Sequence, residues 1–425
     1  MSHGPTTTRR LPEVTLALVL GLTTALVVLG TAWKGACLDS SRNFRFTCYS
    51  DTLELFTSRG LDRHVFPYVN GVIVNGEVRE AFEYPVLTGV FIWFSSLFAD
   101  GRTSFLVASA LLMGPFAVLT AYHLFRLTGR RALVWAAAPA MVLYALHNWD
   151  LLAVAAAVGG VYAWHRGRTV TAAVLFGIGT CLKIYPGLFL LPLAVDRLVR
   201  KDKVGAAEAL GYGGLTVLAA NVPFVLANKD GWATTYVFQE ARQADTSSNS
   251  IWYWVYGGFT TETLNRLIPV LVLVSLLAAV AYGLVRARRE GVFPFLQVCG
   301  AALVAFLLWN KVSSPQYTLW VLPFFALLRV RWGWWAAYFV TDVLVYVGVF
   351  RWFHHLVGGT DATFAERMLT VGVWTKSALL VLLFVVFLRA KDALLQPAAD
   401  ERQPTQRPDE NVSTSSAITG AHAAT

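Results

Sequence analysis

Charge is scarce in this chain. Of 425 residues only 14% are Asp, Glu, Lys or Arg, against 56% hydrophobic and 13% aromatic, whereas a soluble domain is about a quarter charged. That balance excludes a soluble globular fold. Metal-binding patterns are missing as well: there is no Asp-x-Asp, no His-Glu-x-x-His and no paired Cys-x-x-Cys, so the sequence supports neither a metal nor another cofactor. No Gly-rich loop joins a strand to a helix, which argues against a cytoplasmic nucleotide-dependent site. An internal repeat is lacking too, which weighs against a repeat-built transporter.

What is present is a series of continuous apolar runs, long enough to cross a hydrocarbon core ~30 Å thick. In lipid only helices or a closed barrel satisfy every backbone group, and continuous rather than alternating runs select helices. The formal charge of +9 falls in short clusters between the runs, at Arg9-Arg10, Arg130-Arg131, Arg197 to Lys203, Arg286 to Arg289, Arg329/Arg331 and Arg389/Lys391. Every second loop is basic, the positive-inside pattern. The charge is therefore topological, and nucleic-acid binding is not indicated. The expected fold is an all-α polytopic transmembrane bundle of 10–12 spans in the plasma membrane, with both termini cytoplasmic. Residues 1–13 form a cytoplasmic N-terminus and 14–390 the membrane domain. The Pro-, Ser- and Thr-rich tail 391–425 is expected to be disordered.

The first span, about 14–33, leads into a large outer loop, 34–85. Leu53, Leu55, Phe56 and Leu61 among Glu54, Arg59 and Asp62 predict a short amphipathic helix on the membrane surface. Residues 86–98 are apolar but short, as an interfacial or re-entrant helix would be. Two hairpins follow, 132–164 turning at His147 to Asp150, and 169–199 turning at Lys183 to Gly187. Their arms are about 13–16 residues long, below the ~17 needed to cross. Both turns are thus expected to stop in a recess, because polar backbone at membrane depth requires a cavity or a protein cover. A second outer loop, 227–263, is rich in Trp and Tyr.

Chemistry-bearing residues collect on the outer side. Asp51 opens the amphipathic segment and is either a helix cap or a general base. Glu83 precedes Tyr84-Pro85 and faces either solvent or the cleft. His147, Asn148 and Asp150 share one recessed turn, as sugar-hydroxyl ligands or as caps. Lys183 and Lys311, at helix ends, either snorkel or hold an anion such as phosphate. Cys37 and Cys48 share the first outer loop, where a disulfide persists; the alternative is two free thiols. Cys181 and Cys299 lie in apolar runs, as packing residues do.

Taken together, Asp51, Glu83-Tyr84-Pro85-Val86-Leu87-Thr88-Gly89, Asn148-Trp149-Asp150, Leu182-Lys183-Ile184-Tyr185-Pro186 and Lys311 to Trp320 with Leu322-Pro323 resemble the GT-C glycosyltransferases. More narrowly, they resemble glycosyltransferase family 87, which includes polyprenyl-phosphate-mannose-dependent α-mannosyltransferases and related arabinofuranosyltransferases. The resemblance implies a GT-C bundle whose extracytoplasmic site moves a sugar, mannose first, from a polyprenyl-phosphate donor to a glycolipid or glycan acceptor. Transfer would invert at the anomeric carbon without metal, with Asp51 as catalytic base. In the mannosyltransferase branch a histidine pair often stands where this chain has Gln316 and Tyr317, so charge at the donor phosphate would fall to Lys183 or Lys311. Arabinose transfer on the same fold is the alternative, and a glycolipid flippase is the reading from another class.

Overall fold

The computed structural model describes residues 14–395 apart from 71, 75, 76, 80 and 81. The expected cytoplasmic N-terminus, 1–13, lies outside the described residues, and so does the expected disordered tail from 396 onward.

The chain folds as helices, as a backbone in lipid must. Helix α1 (Leu16–Gly35) opens on Thr15, whose side chain accepts from the Leu18 N–H. A disulfide joins Cys37 to Cys48, with Cα atoms 5.7 Å apart, and α2 (Asp51–Ser58) follows. A hairpin pairs β1 (Val72–Val74) with β2 (Glu77–Arg79). Pro85 then starts α3 (Val86–Ser96), after which α4 (Arg102–Thr128) runs back through a 3-10 turn into α5 (Leu133–Ala136). Next come α6 (Pro139–Tyr144), α7 (Asp150–His165), α8 (Thr169–Leu182) and α9 (Leu190–Val199). The remainder is α10 (Lys203–Ala227), α11 (Lys229–Ala241), α12 (Thr261–Glu290), α13 (Phe295–Trp309), α14 (Thr318–Leu327), α15 (Trp332–Val357) and α16 (Thr363–Arg389).

Six helical stretches among the described residues are long and apolar enough to cross a membrane: α1, α4 with its continuation through α5, α10, α12, α15 and α16. Four more, α3, α7, α8 and α13, are apolar but shorter. The chain is a multi-pass, all-α membrane protein.

Three expectations are corrected in detail. The first hairpin arm, 132–147, is not one helix: it breaks at Ala137-Ala138, where Pro139 holds Ala138 extended (φ −73°, ψ 126°) and restarts the chain as α6. The amphipathic α2 forms, but its apolar face is covered by protein rather than lipid. Leu53, Leu55 and Phe56 are buried, and the Phe56 ring packs 4.9 Å from that of Phe105 on α4. The second outer loop contains a helix, α11, whose cap is Asn228 accepting from the N–H groups of Asp230 and Gly231. Its buried positions include Thr234 and Thr235, so no apolar stripe announced it.

Helix packing rests on small residues, the usual device where lipid removes the hydrophobic drive between helices. A Cβ on Gly348 would stand 2.9 Å from the backbone of Leu369, and one on Gly372 would stand 2.9 Å from the Val345 nitrogen. Helices α15 and α16 therefore meet nearly backbone to backbone. Across the same seam Lys376 Nζ donates to Asp342 Oδ1 at 2.7 Å. Thr318 donates to the same oxygen and Tyr144 to Oδ2, each at 2.6 Å. The buried charge pair is tolerated because the carboxylate accepts three hydrogen bonds, and it locks α6, α14, α15 and α16 together.

Basic segments meet at one end of the bundle. Arg131 donates to the carbonyls of Phe325, Ala326 and Leu328, which are the orphan acceptors at the end of α14. Arg286 does the same for Leu388 and Ala390 after α16. A short pairing of β3 (Leu328–Arg329) with β4 (Lys391–Asp392) joins these segments.

The disulfide is directly testable. Thiol alkylation of unreduced, denatured protein should label only Cys181 and Cys299, and reduction should raise the count to four. Closing a loop of this length is worth up to about 3 kcal/mol, so the Cys37→Ser/Cys48→Ser protein should melt lower. Four labelled thiols before reduction would remove the crosslink.

Candidate active site

At the other end, α2, the α6–α7 turn, the α8–α9 turn, α11 and the segment after α13 surround a cavity of about 930 Å³. Its size is at the upper end of ordinary ligand sites. Asp51, Glu83, Tyr84, His147, Asn148, Lys183, Lys311, Gln316 and Tyr317 all line it. Residues scattered from position 51 to 317 thus share one wall system, because the two short hairpins deliver their turns to the same depth.

Asp51 is not the cap of its helix. Ser50 holds the cap position, and the Asp51 carboxylate turns away to accept from Tyr49 Oη at 2.9 Å and Asn148 Nδ2 at 2.7 Å. Its own N–H donates to the His147 carbonyl at 2.9 Å, which fixes α2 against the α6–α7 turn. Burial raises the Asp51 pKa above the ordinary carboxylate value, while the bonds from Asn148 and Tyr49 and the charge of Lys183 pull it back down. A carboxylate with a raised pKa and a cavity in front of it suits proton abstraction.

Asn148 is the hub. Its Nδ2 also donates to Tyr84 Oη at 2.8 Å, and its Oδ1 accepts from Lys183 Nζ at 3.1 Å and from the Trp149 N–H at 2.7 Å. Because an ammonium can only donate, the Lys183 bond fixes the amide the right way round, with its NH₂ toward Asp51. Lys183 also stands 4.6 Å from the centre of the Tyr84 ring and 3.7 Å from Asp150 Oδ1.

Three of the expected site residues are committed to protein partners. Asp150 is fully buried behind Lys183, with Oδ1 accepting from Trp320 Nε1 at 2.8 Å. It is not among the residues that line the cavity, and it faces Lys183 as a counter-ion. Glu83 does line it, but its carboxylate is held by Arg59 through two bonds of 2.9 and 3.2 Å. Lys311 donates to the Gln239 and Glu240 carbonyls and to Asn265 Oδ1, at 2.9, 3.2 and 2.7 Å, so all three of its protons are engaged. Gln316 is buried with its Oε1 unpartnered, and Tyr317 stacks on Trp320 at 4.0 Å.

Sequence reasoning missed Lys34, Tyr49, Arg59 and Arg242 as site residues. Lys34 is fully buried at the end of α1 and donates to the Tyr49 carbonyl (2.7 Å), His147 Nδ1 (3.2 Å) and Tyr346 Oη (3.2 Å). It braces Tyr49 and His147, each of which bonds Asp51. The available signal was a lone lysine ending an apolar span, costly there unless partnered.

A helical membrane protein with a carboxylate-bearing cavity at one end of the bundle could be a transferase or a transporter. The family model for glycosyltransferase family 87 matches residues 82–309, more than half of the chain. It makes this a membrane glycosyltransferase and sets the flippase reading aside. The chain belongs to glycosyltransferase family 87. The matched stretch takes in Glu83, Tyr84, His147, Asn148, Asp150 and Lys183, and Asp51 lies upstream of it.

With a raised pKa, Asp51 loses its basic form as pH falls through a value above the usual ~3.9. The acid limb of the kcat/KM profile should therefore lie above that value. Tyr49→Phe removes a bond that favours the carboxylate, so the limb should move further up; an unmoved limb would separate Asp51 from the titration.

Proposed function

We propose that the cavity transfers a glycosyl group from a polyprenyl-phosphate donor to a hydroxyl of a glycolipid or glycan acceptor, with inversion, on the extracytoplasmic face. The observation that carries this reading is a buried-edge carboxylate, Asp51, presented to a cavity that also holds cationic side chains. The acceptor oxygen attacks the anomeric carbon while Asp51 takes its proton. The bond from that carbon to the phosphate oxygen breaks, and polyprenyl phosphate leaves with the electron pair. Phosphate is a stable leaving group, so positioning and charge stabilisation supply much of the rate.

The charge pattern supports this sidedness, since the basic loops gather at the end opposite the cavity and the positive-inside rule favours a cytoplasmic position for such loops. The Cys37–Cys48 disulfide stands at the cavity end and fits an oxidising compartment. Mannose is the first choice of sugar from the family resemblance. Gln316 and Tyr317, in place of a histidine pair, leave arabinose as the second.

The test is parallel incubation of purified protein with polyprenyl-phosphate mannose and polyprenyl-phosphate arabinose, with product followed by mass. One donor should be consumed, and Asp51→Asn should reduce turnover by about 10²–10⁴-fold with the protein still monodisperse. Full activity in that variant would remove Asp51 from the chemistry.

A further inference from the structure

We infer that Arg242, at the end of α11, is the cation that grips the phosphate of a prenyl-phosphate lipid. This inference rests on the lipid-phosphate donor reading above. Four cations from different parts of the chain line the cavity, and three are already engaged. Arg59 is paired with the Glu83 carboxylate through two bonds. Lys183 is bound to Asn148 and faces Asp150. Lys311 spends its three protons on two carbonyls and Asn265. Arg242 also lines the cavity and is half-buried, yet among the described residues no side-chain or backbone acceptor and no carboxylate meets its guanidinium. A half-buried guanidinium with five free donors is suited to a planar, bidentate grip on phosphate.

Its surroundings point to the same ligand. Arg242 shares the cavity wall with Lys311, Tyr317 and Asp51. Gln316, next to Tyr317, is 3% exposed, lines the cavity and has its Oε1 unpartnered among the described residues. On the far side the wall turns apolar. Leu264, Ile268 and Pro269 of α12 and Phe306 of α13 line it, and Asn265, the Lys311 partner, stands in the same stretch of α12. Farther along, α12 exposes Val270, Leu273 and Val274, as a lipid-facing helix does. A molecule with an apolar tail, an anionic phosphate and a sugar fits that order, with tail along α12, phosphate at Arg242 and Gln316, and anomeric carbon toward Asp51.

Binding of farnesyl phosphate and of farnesol to the detergent-purified protein measures this without relying on turnover. Wild type should bind farnesyl phosphate about tenfold or more tightly than farnesol, and inorganic phosphate should compete poorly because it lacks the tail. Arg242→Gln should lose that margin while keeping farnesol affinity and gel-filtration behaviour, and Arg242→Lys should keep part of it. A wild-type margin that survives in Arg242→Gln would overturn the role of Arg242 and leave the donor reading standing. No margin in wild type would overturn both. Displacement by inorganic phosphate as effective as by farnesyl phosphate would overturn the lipid-linked assignment.

Discussion

The site depends on one side chain amide. Asn148 donates to Asp51 and to Tyr84 and accepts from Lys183 and from the backbone of Trp149. Four bonds use its whole hydrogen-bonding capacity, so the amide has one orientation. Through it a carboxylate from the first outer loop, a tyrosine from the end of that loop and a lysine from the second hairpin take fixed positions. Buried polar networks are worth having only when every member is satisfied, and this one nearly is. Unsatisfied atoms border it: Trp149 Nε1, Asp150 Oδ2 behind Lys183 and Gln316 Oε1 beside the cavity.

The recess that holds this network comes from short helices. Helices α7 and α8 are shorter than a full crossing requires, and the polar turns at residues 147–150 and 183 stand where α7 begins and α8 ends. Irregular backbone there needs partners. Some come from protein, as where the Thr88 hydroxyl donates to the Leu182 carbonyl at 2.6 Å. Of the turn residues, His147, Asn148, Lys183 and Ile184 line the cavity. Lys34 and Tyr346 brace the same assembly from the α1 and α15 side, while the Asp342–Lys376 pair locks the helices behind it. The catalytic proposal therefore rests on a scaffold whose charged residues are nearly all committed to one another, which is why a guanidinium left free in the cavity stands out.

Much of this was legible in the chain because membrane folding is strict. Run length, the spacing of Arg and Lys, and arms too short to cross give helices, ends and a recess without further information. The break before Pro139 was legible in principle, since proline fixes its own φ and restricts its predecessor. Helix α11 was not, because its buried side carries Thr234 and Thr235 and its aromatics read as an interfacial belt. Partner choice was also hidden. Glu83 and Arg59 are far apart in sequence, as are Lys311 and Asn265, so which carboxylate and which cation remain free is decided by tertiary contacts. Asp51 stood out in sequence by position, but only the bonds to Asn148 and Tyr49 distinguish it from an ordinary helix cap.

The central claim is that a single carboxylate acts as base in a one-step displacement. Nuclear magnetic resonance of the first-formed glycoside, compared with the anomeric configuration of the donor supplied, tests it most directly. Inversion at the anomeric carbon is the expected result. Retention would require a covalent or front-face route and would contradict the role given to Asp51.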